Sequence, residues 1–420
     1  MVRRGVERVN LYNFAIHKQR IYIQSMLISI NELQLRCDRI SEALTSVGGG
    51  SILLRSIPNH LYLTGTVFSG YTFLEVGKRP FFFYDRPTSI FEDYVEERAF
   101  AIRKPEQIPD ILKSFGSKMG SDTLLEGGTL PHLEYLRLSA LAEGGEVHPA
   151  DASQLMREVR SIKTEMELTT LRSMGLTHME IYRLAPDLWE PGITDLEWQH
   201  RLEFRMRRRG SIGIFRAYGP RMEIFMGNVS AGDNSDTPAP YDFAMGGAGT
   251  PAMPMGANGT PIEEGMPVMI DLAGNYGVYN TDMTRVYAAG DVDEELQRAH
   301  DLSISLQEWF ADNVREGTLT SEIYNHCVEE VRREGFEENF MGHTFQAKFV
   351  GHGVGIEINE LPVLMERRPV PLQKGMVVAF EPKFVFPGKG AVGIENTFEI
   401  TPQGSVNITP YPMEIIPLGK

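Results

Sequence analysis

The sequence predicts an α+β protein in two parts, a smaller α/β unit followed by a larger one. Two observations carry this reading. Helical and strand-like pieces alternate up to about residue 150, as in a layered α/β unit. Beyond residue 160, capped amphipathic helices share the chain with strand-like runs, and two pairs of those runs repeat each other down to the positions of their carboxylates. A chain of 420 residues is long for one core, so two domains are the natural expectation.

Residues 1–30 carry basic residues without a readable period and are taken as an extension. The first domain is assigned to 31–160. Its opening "NELQLRCDRISEALTSV" has helical spacing and ends in the glycines Gly48 to Gly50. "SILLRS", "HLYLTG" and "TFLEVGKRPFFFYD" follow, short apolar runs between turn residues that read as strands.

The second domain, 161–420, opens on a helix. Thr164 and Glu167 have capping-box spacing, and Leu168, Leu171, Met174 and Ile181 then share one face. Thr194 and Glu197 begin a second helix that ends before Gly210. Its last turn is the basic run Arg205 to Arg209, which suits the negative end of a helix dipole better than a binding patch. Two more helices are expected over Glu294–Val314 and Ser321–Glu334. The Gly/Pro-rich stretch Ala244 to Thr260 runs into Pro251, Pro254 and Pro261, not into a helix start, so it reads as a loop leading to a strand and not as a phosphate cradle.

Composition narrows the partners. A formal net charge of −15 argues against nucleic acid or an anionic membrane surface. Two cysteines, Cys37 and Cys327, exclude a disulfide framework and suit a reducing compartment. The amino terminus lacks a clean apolar core or cleavage site, and no stretch approaches the roughly 20 apolar residues of a membrane span. A soluble, cytoplasmic protein is expected.

The repeat carries the chemistry. "EEGMPVMIDLAGNYGVYNTDMTRVY" and "QKGMVVAFEPKFVFPGKGAVGIENTFEI" both place Gly-Met before an apolar strand ending in a carboxylate, Asp271 and Glu381. In both, a turn leads to a second carboxylate with threonine two residues on: Asp282 with Thr284, and Glu395 with Thr397. Four converging acids repel one another strongly unless a cation is shared among them. His352, between glycines in "KFVGHGVGIEI", adds an imidazole. Oxygen ligands with one imidazole suit Mn, Fe, Co or Zn.

With these residues in view, the second half resembles the pita-bread metallopeptidases: methionine aminopeptidase, aminopeptidase P, prolidase and the metal-free relative creatinase. The order Asp, Asp, His, Glu, Glu matches, over roughly residues 160 to 415. The first half resembles the amino-terminal domain of the prolidase, aminopeptidase P and creatinase branch. The resemblance implies a pita-bread catalytic domain behind a smaller creatinase-type domain, a homodimer, and two divalent ions, manganese first. It implies Asp271 on one ion, Asp282 and Glu395 bridging both, and His352 and Glu381 on the second. Glu381 and His352 would be catalytic, Glu381 shuttling the proton from water to the departing amine. Thr284 and Thr397 would orient the bridging carboxylates.

The sequence also departs from that pattern. Pro254 and Asn359 stand where the peptidases carry histidines that contact substrate, and Gly393 stands where prolidase and aminopeptidase P often carry arginine. Asn359 is expected to bind substrate, donating a hydrogen bond without being able to carry charge. His343 is a candidate displaced replacement. The expected function is Xaa-Pro peptide hydrolysis. The alternatives are a metal-dependent hydrolase or lyase of a small non-peptide compound, and a non-catalytic binding protein on the same fold.

Overall fold

The computed structural model describes residues 28–87, 91, 98–219, 226–241 and 246–419. Most of the expected 1–30 extension therefore lies outside the described residues. The chain divides into two compact units between Val159 and Arg160.

The first unit begins with α1 (Ile30–Ser46), capped by the Ser29 side chain. A mixed five-stranded sheet follows in the order β4-β3-β2-β1-β5, where β1 is Ser51–Leu54, β2 Ser69–Glu75, β3 Phe81–Arg86, β4 Ala99–Ala101 and β5 Thr123–Leu125. One expectation fails here. "HLYLTG" lies in a helix, α2 (Ile57–Thr64), not in a strand. Pro58 occupies its first turn, and Gly65 closes it in the left-handed conformation with its N–H on the Leu61 carbonyl at 2.8 Å. Asn59 to Thr64 are all buried. A short run buried on every side has no period by which sequence can tell helix from strand. The unit continues with α3 (Ile108–Ser114) and α4 (His132–Ser139), and α5 (Ala152–Ser161) runs across the boundary.

The second unit opens with α6 (Glu165–Leu188), whose Thr164–Glu167 capping box forms as expected. In α7 (Asp195–Arg208) the Thr194 hydroxyl accepts from the Glu197 N–H, and the arginines fill the last turn. A four-stranded sheet has the order β16-β8-β7-β6, with β6 Gly227–Ala231, β7 Pro267–Gly274, β8 Thr281–Ala288 and β16 Ile416–Pro417. The Gly/Pro-rich segment is irregular over its described part and leads into β7.

A five-stranded sheet has the order β10-β9-β11-β14-β15, with β9 Gly351–Gly353, β10 Glu360–Val363, β11 Val377–Phe380, β14 Asn396–Ile400 and β15 Ser405–Asn407. Between β11 and β14 a separate hairpin is inserted, β12 (Lys383–Phe386) with β13 (Gly390–Gly393).

Helices α8 (Glu294–Asn313) and α9 (Thr320–Glu334) form within a residue or so of the expected limits. They cover an apolar core in which Phe310 stacks on Phe380 at 4.4 Å and packs on Phe398 at 4.7 Å. Among the described residues, no helix is long and apolar enough to cross a membrane.

Candidate metal centre

The two repeated segments are not two copies of one hairpin. The first is continuous: β7 and β8 pair in register, with Asp271 opposite Thr284 and Asp282 opposite Ala273. The second is broken. Pairing of β11 with β14 stops at Phe380 opposite Asn396, and Glu381 and Glu395 stand at the gap before the inserted hairpin.

Pro382 has no N–H to continue the ladder, and α8 satisfies the backbone left over. Ser303 Oγ donates to the Pro382 carbonyl at 2.6 Å and accepts from the Ile394 N–H at 2.9 Å. One turn on, Gln307 Nε2 donates to the carbonyls of Phe380 and Ile394 at 2.7 and 2.8 Å. The backbone on both sides of the break is thus hydrogen-bonded to α8, as a buried backbone requires.

The sheets meet at these acids. Thr284 and Glu395 form an isolated antiparallel bridge, and the buried Arg285 guanidinium fastens both sides, donating to the carbonyls of Thr284 at 2.7 Å and Glu395 at 2.8 Å. It also reaches the Asn396 side chain and the carbonyls of Tyr411 and Pro412. Burial brings the Arg285 pKa down to about 10, so it remains a cation at neutral pH. His352 arrives from β9, opposite Ala379 of β11.

All five expected ligand residues are brought together. Asp282, His352 and Glu395 offer ligand atoms that lie within 4.8 Å of one another. His352 Nε2 is 3.6 Å from Glu381 Oε1 and 3.9 Å from Asp282 Oδ2, while its Nδ1 faces the Gly353 carbonyl at 3.1 Å. A cation with ligand bonds of about 2.0–2.2 Å draws donor atoms to roughly these separations. The chemistry agrees, since buried carboxylates beside an imidazole form a borderline-hard donor set. Burial, with Glu395 and Asp271 adding repulsion, pushes the Asp282 carboxyl far above its usual range. That is the condition a bound cation relieves.

Asp271 stands at the other end of the group, and a residue not singled out from the sequence sits there. Lys383 donates to Asp271 Oδ2, Glu381 Oε2 and Glu395 Oε2, each at 2.9 Å. Burial lowers a lysine pKa, but here the three carboxylates outweigh it and hold the ammonium charged. A signal was available. Lys383 is two residues from Glu381, the spacing that puts side chains on the same side of an extended chain.

The remaining expectations divide. Thr284 Oγ1 donates to Glu395 Oε2 at 2.7 Å, as expected of an orienting residue. Thr397 does otherwise: its hydroxyl accepts from the Asp282 N–H at 2.9 Å and donates to the Asp282 carbonyl at 2.8 Å, so it holds the main chain and not the carboxylate.

Asn359 donates from Nδ2 to the Tyr218 carbonyl and accepts at Oδ1 from the Tyr218 N–H, both at 2.7 Å. Its amide clamps a neighbouring backbone segment as a peptide group would. His343 is exposed, with Nδ1 against the Glu338 carbonyl at 3.0 Å, and does not join the cluster. Pro254 is half-buried beside a turn closed by reciprocal Thr250–Met253 hydrogen bonds.

A second buried charge group lies just beyond the histidine strand. Glu360 accepts from Arg160 at 3.2 Å and Lys163 at 3.0 Å, and Glu357 pairs with Arg160. Burial opposes ionisation of Glu360, but Lys163 and Arg160 together hold its carboxyl below the usual range.

Comparison with known proteins agrees with this architecture. Residues 170–402 match metallopeptidase family M24, and residues 36–162 match the creatinase/prolidase amino-terminal domain. An uncharacterized peptidase of Bacillus subtilis is 25% identical over 389 residues, 91% of this chain and 99% of that protein. An Xaa-Pro dipeptidase of Pyrococcus horikoshii is 24% identical over 369 residues, 87% of this chain and 94% of that protein. The solved Xaa-Pro dipeptidase from Bacillus anthracis superposes with a TM-score of 0.77 at 24% identity, covering 92% of this chain and 100% of that one. The chain belongs to metallopeptidase family M24, with the pita-bread fold behind a creatinase-type domain, and is a peptidase-type hydrolase whose family implies divalent metal.

Proposed function

We propose that this M24 member is a metal-dependent Xaa-Pro peptidase, cleaving short peptides at the bond before proline. The observation that carries the reading is the meeting of Asp282, His352 and Glu395 with Glu381 at the junction of two sheets. The names of the Pyrococcus and Bacillus relatives supply the substrate class.

Asp282, His352 and Glu395 would hold a divalent ion, manganese by preference, which would supply Lewis acidity and make water more acidic. The chain's own groups do the rest. Glu381 has one oxygen held by Lys383, while the other faces His352 at 3.6 Å. We assign it the proton transfer, from the attacking water to the departing amine. Thr284 fixes the orientation of Glu395. Half-buried Phe349, edge-on to His352 at 6.5 Å between ring centroids, offers an apolar face suited to a pyrrolidine ring. We place the enzyme in the cytoplasm, as a chain with only two cysteines, both buried, suggests. A homodimer follows from the resemblance.

One observation favours a second reading, hydrolysis or elimination on a small non-peptide compound. Asn359, at a position where the resemblance expects a substrate-contacting histidine, has its amide turned to the Tyr218 main chain. One experiment separates the two. Metal-stripped protein is reloaded with Mn, Co, Zn or Fe and given Xaa-Pro dipeptides and Xaa-Pro-Xaa tripeptides, with Asp282→Asn as control. Metal-restored cleavage that the control lacks supports the peptidase. Bound metal without cleavage of any prolyl peptide overturns it and favours the small-molecule reading.

A further inference from the structure

Lys383 is buried in the middle of the group of acids that the resemblance would give to two divalent ions. Its side chain is 1% exposed, and its three N–H groups meet three different carboxylates at 2.9 Å each. An ammonium has three donors and no acceptor, so this environment satisfies it completely.

The position is built into the fold. Lys383 begins β12 directly opposite Gly393 of β13. Gly393 has φ +144°, and a Cβ there would stand 2.7 Å from Lys383 Cα and 3.1 Å from its Cγ. A side chain at 393 and the lysine stem therefore compete for one space. The absence of a side chain at 393 gives the stem its route inward.

We propose that Lys383 is a built-in cation replacing one of the two divalent ions, so that this chain holds a single metal at Asp282, His352, Glu395 and the Oε1 side of Glu381. The proposal rests on reading that group as a metal site.

Lys383 already takes one oxygen each of Asp271, Glu381 and Glu395. An ion joining Asp271 to Glu395 with bonds of about 2.1 Å would stand close to that ammonium, and two cations so close in a buried site repel strongly. The charge count is compatible with one ion, since a divalent ion and the ammonium bring three positive charges to four carboxylates. Lys383 is then a positioning residue: it holds Asp271 away from metal and directs the second oxygen of Glu381 toward His352.

The test counts metal on the full chain. Stripped protein is dialysed against Mn(II), its metal content measured, and its electron paramagnetic resonance spectrum recorded. The expected result is about one tightly bound equivalent per chain with the uncoupled spectrum of an isolated ion. Lys383→Met is expected to bind about two, with an exchange-coupled spectrum, and Lys383→Arg to stay at about one.

Two coupled equivalents in the unsubstituted chain overturn the proposal and leave the metallopeptidase reading standing. No bound equivalent overturns both. A Lys383→Met protein that still binds one ion removes the lysine as the cause. Should that variant not fold, the count on the unsubstituted chain decides alone.

Discussion

The Thr284 hydroxyl donates to Glu395 Oε2 at 2.7 Å across 111 residues of sequence, and the two residues exchange backbone hydrogen bonds of 3.3 Å. This joins the sheet carrying Asp271 and Asp282 to the segment carrying Glu395. Geometry at the candidate metal centre therefore depends on a contact between the two repeated segments.

Thr284→Val removes the hydroxyl while keeping the branched shape that β8 prefers. Metal affinity is expected to fall about 10- to 100-fold with little change in thermal stability, the usual effect of losing a partner of a ligand. Thr397→Val is expected to act differently, because the Thr397 hydroxyl bonds main-chain atoms of Asp282 and not a carboxylate. It should cost about 1–3 kcal/mol of stability. Parallel metal titrations and denaturant unfolding distinguish the two, and equal effects would contradict the assignment.

Asn359→Ala removes the pair of hydrogen bonds to Tyr218. Exchange of the Tyr218 amide should accelerate about 10-fold or more, since about 1.4 kcal/mol corresponds to tenfold and each lost bond contributes on this scale. Metal stoichiometry should be unchanged. A loss of bound metal would show that Asn359 acts on the centre directly.

Glu360→Ala takes from buried Lys163 its carboxylate and leaves buried Arg160 with Glu357, the two cations being 1% and 3% exposed. Breaking a buried ion pair from one side typically costs about 3–5 kcal/mol. Equilibrium urea unfolding measures this, and a change below about 1 kcal/mol would mean that the interior relaxes to admit water.

His300 supplies a pH dependence with a definite sign. Its ring is buried on α8 with Nε2 against the Met413 carbonyl at 2.7 Å, and burial lowers its pKa from 6.5 to about 4. Between those values the unfolded chain holds the extra proton. Stability from this group is therefore complete above about pH 6.5 and falls as pH drops toward 4. His300→Gln keeps a donor for Met413 and removes the titration. The slope of unfolding free energy against pH should shrink by up to about 1.4 kcal/mol per pH unit in that window. An unchanged slope would mean that His300 is protonated in the folded protein.

Much of the candidate site was legible in the sequence because its pattern is local. Gly-Met, an apolar strand and a closing acid occur within seven residues, twice, and His352 lies in a short glycine-flanked run. Strand parity and the cost of burying like charges are enough to point these five residues toward one shared site. Helix caps at Thr164 and Thr194 were legible for the same reason, since a cap is written within four residues.

What local pattern could not decide was settled by contacts between distant strands. Asn59 to Thr64 of α2 are buried whether polar or apolar, so only packing made the segment a helix. Thr397 resembles Thr284 in sequence, yet register gives it the Asp282 main chain in place of a carboxylate. Asn359 meets Tyr218 across 141 residues. Lys383 reads as an ordinary charged residue until the inserted hairpin sets it opposite Gly393 and turns its ammonium inward. Sequence by itself determined which candidate ligand residues the chain offers. Tertiary structure decided which cation stands among them, because a side chain enters a buried site only where a facing residue leaves it room.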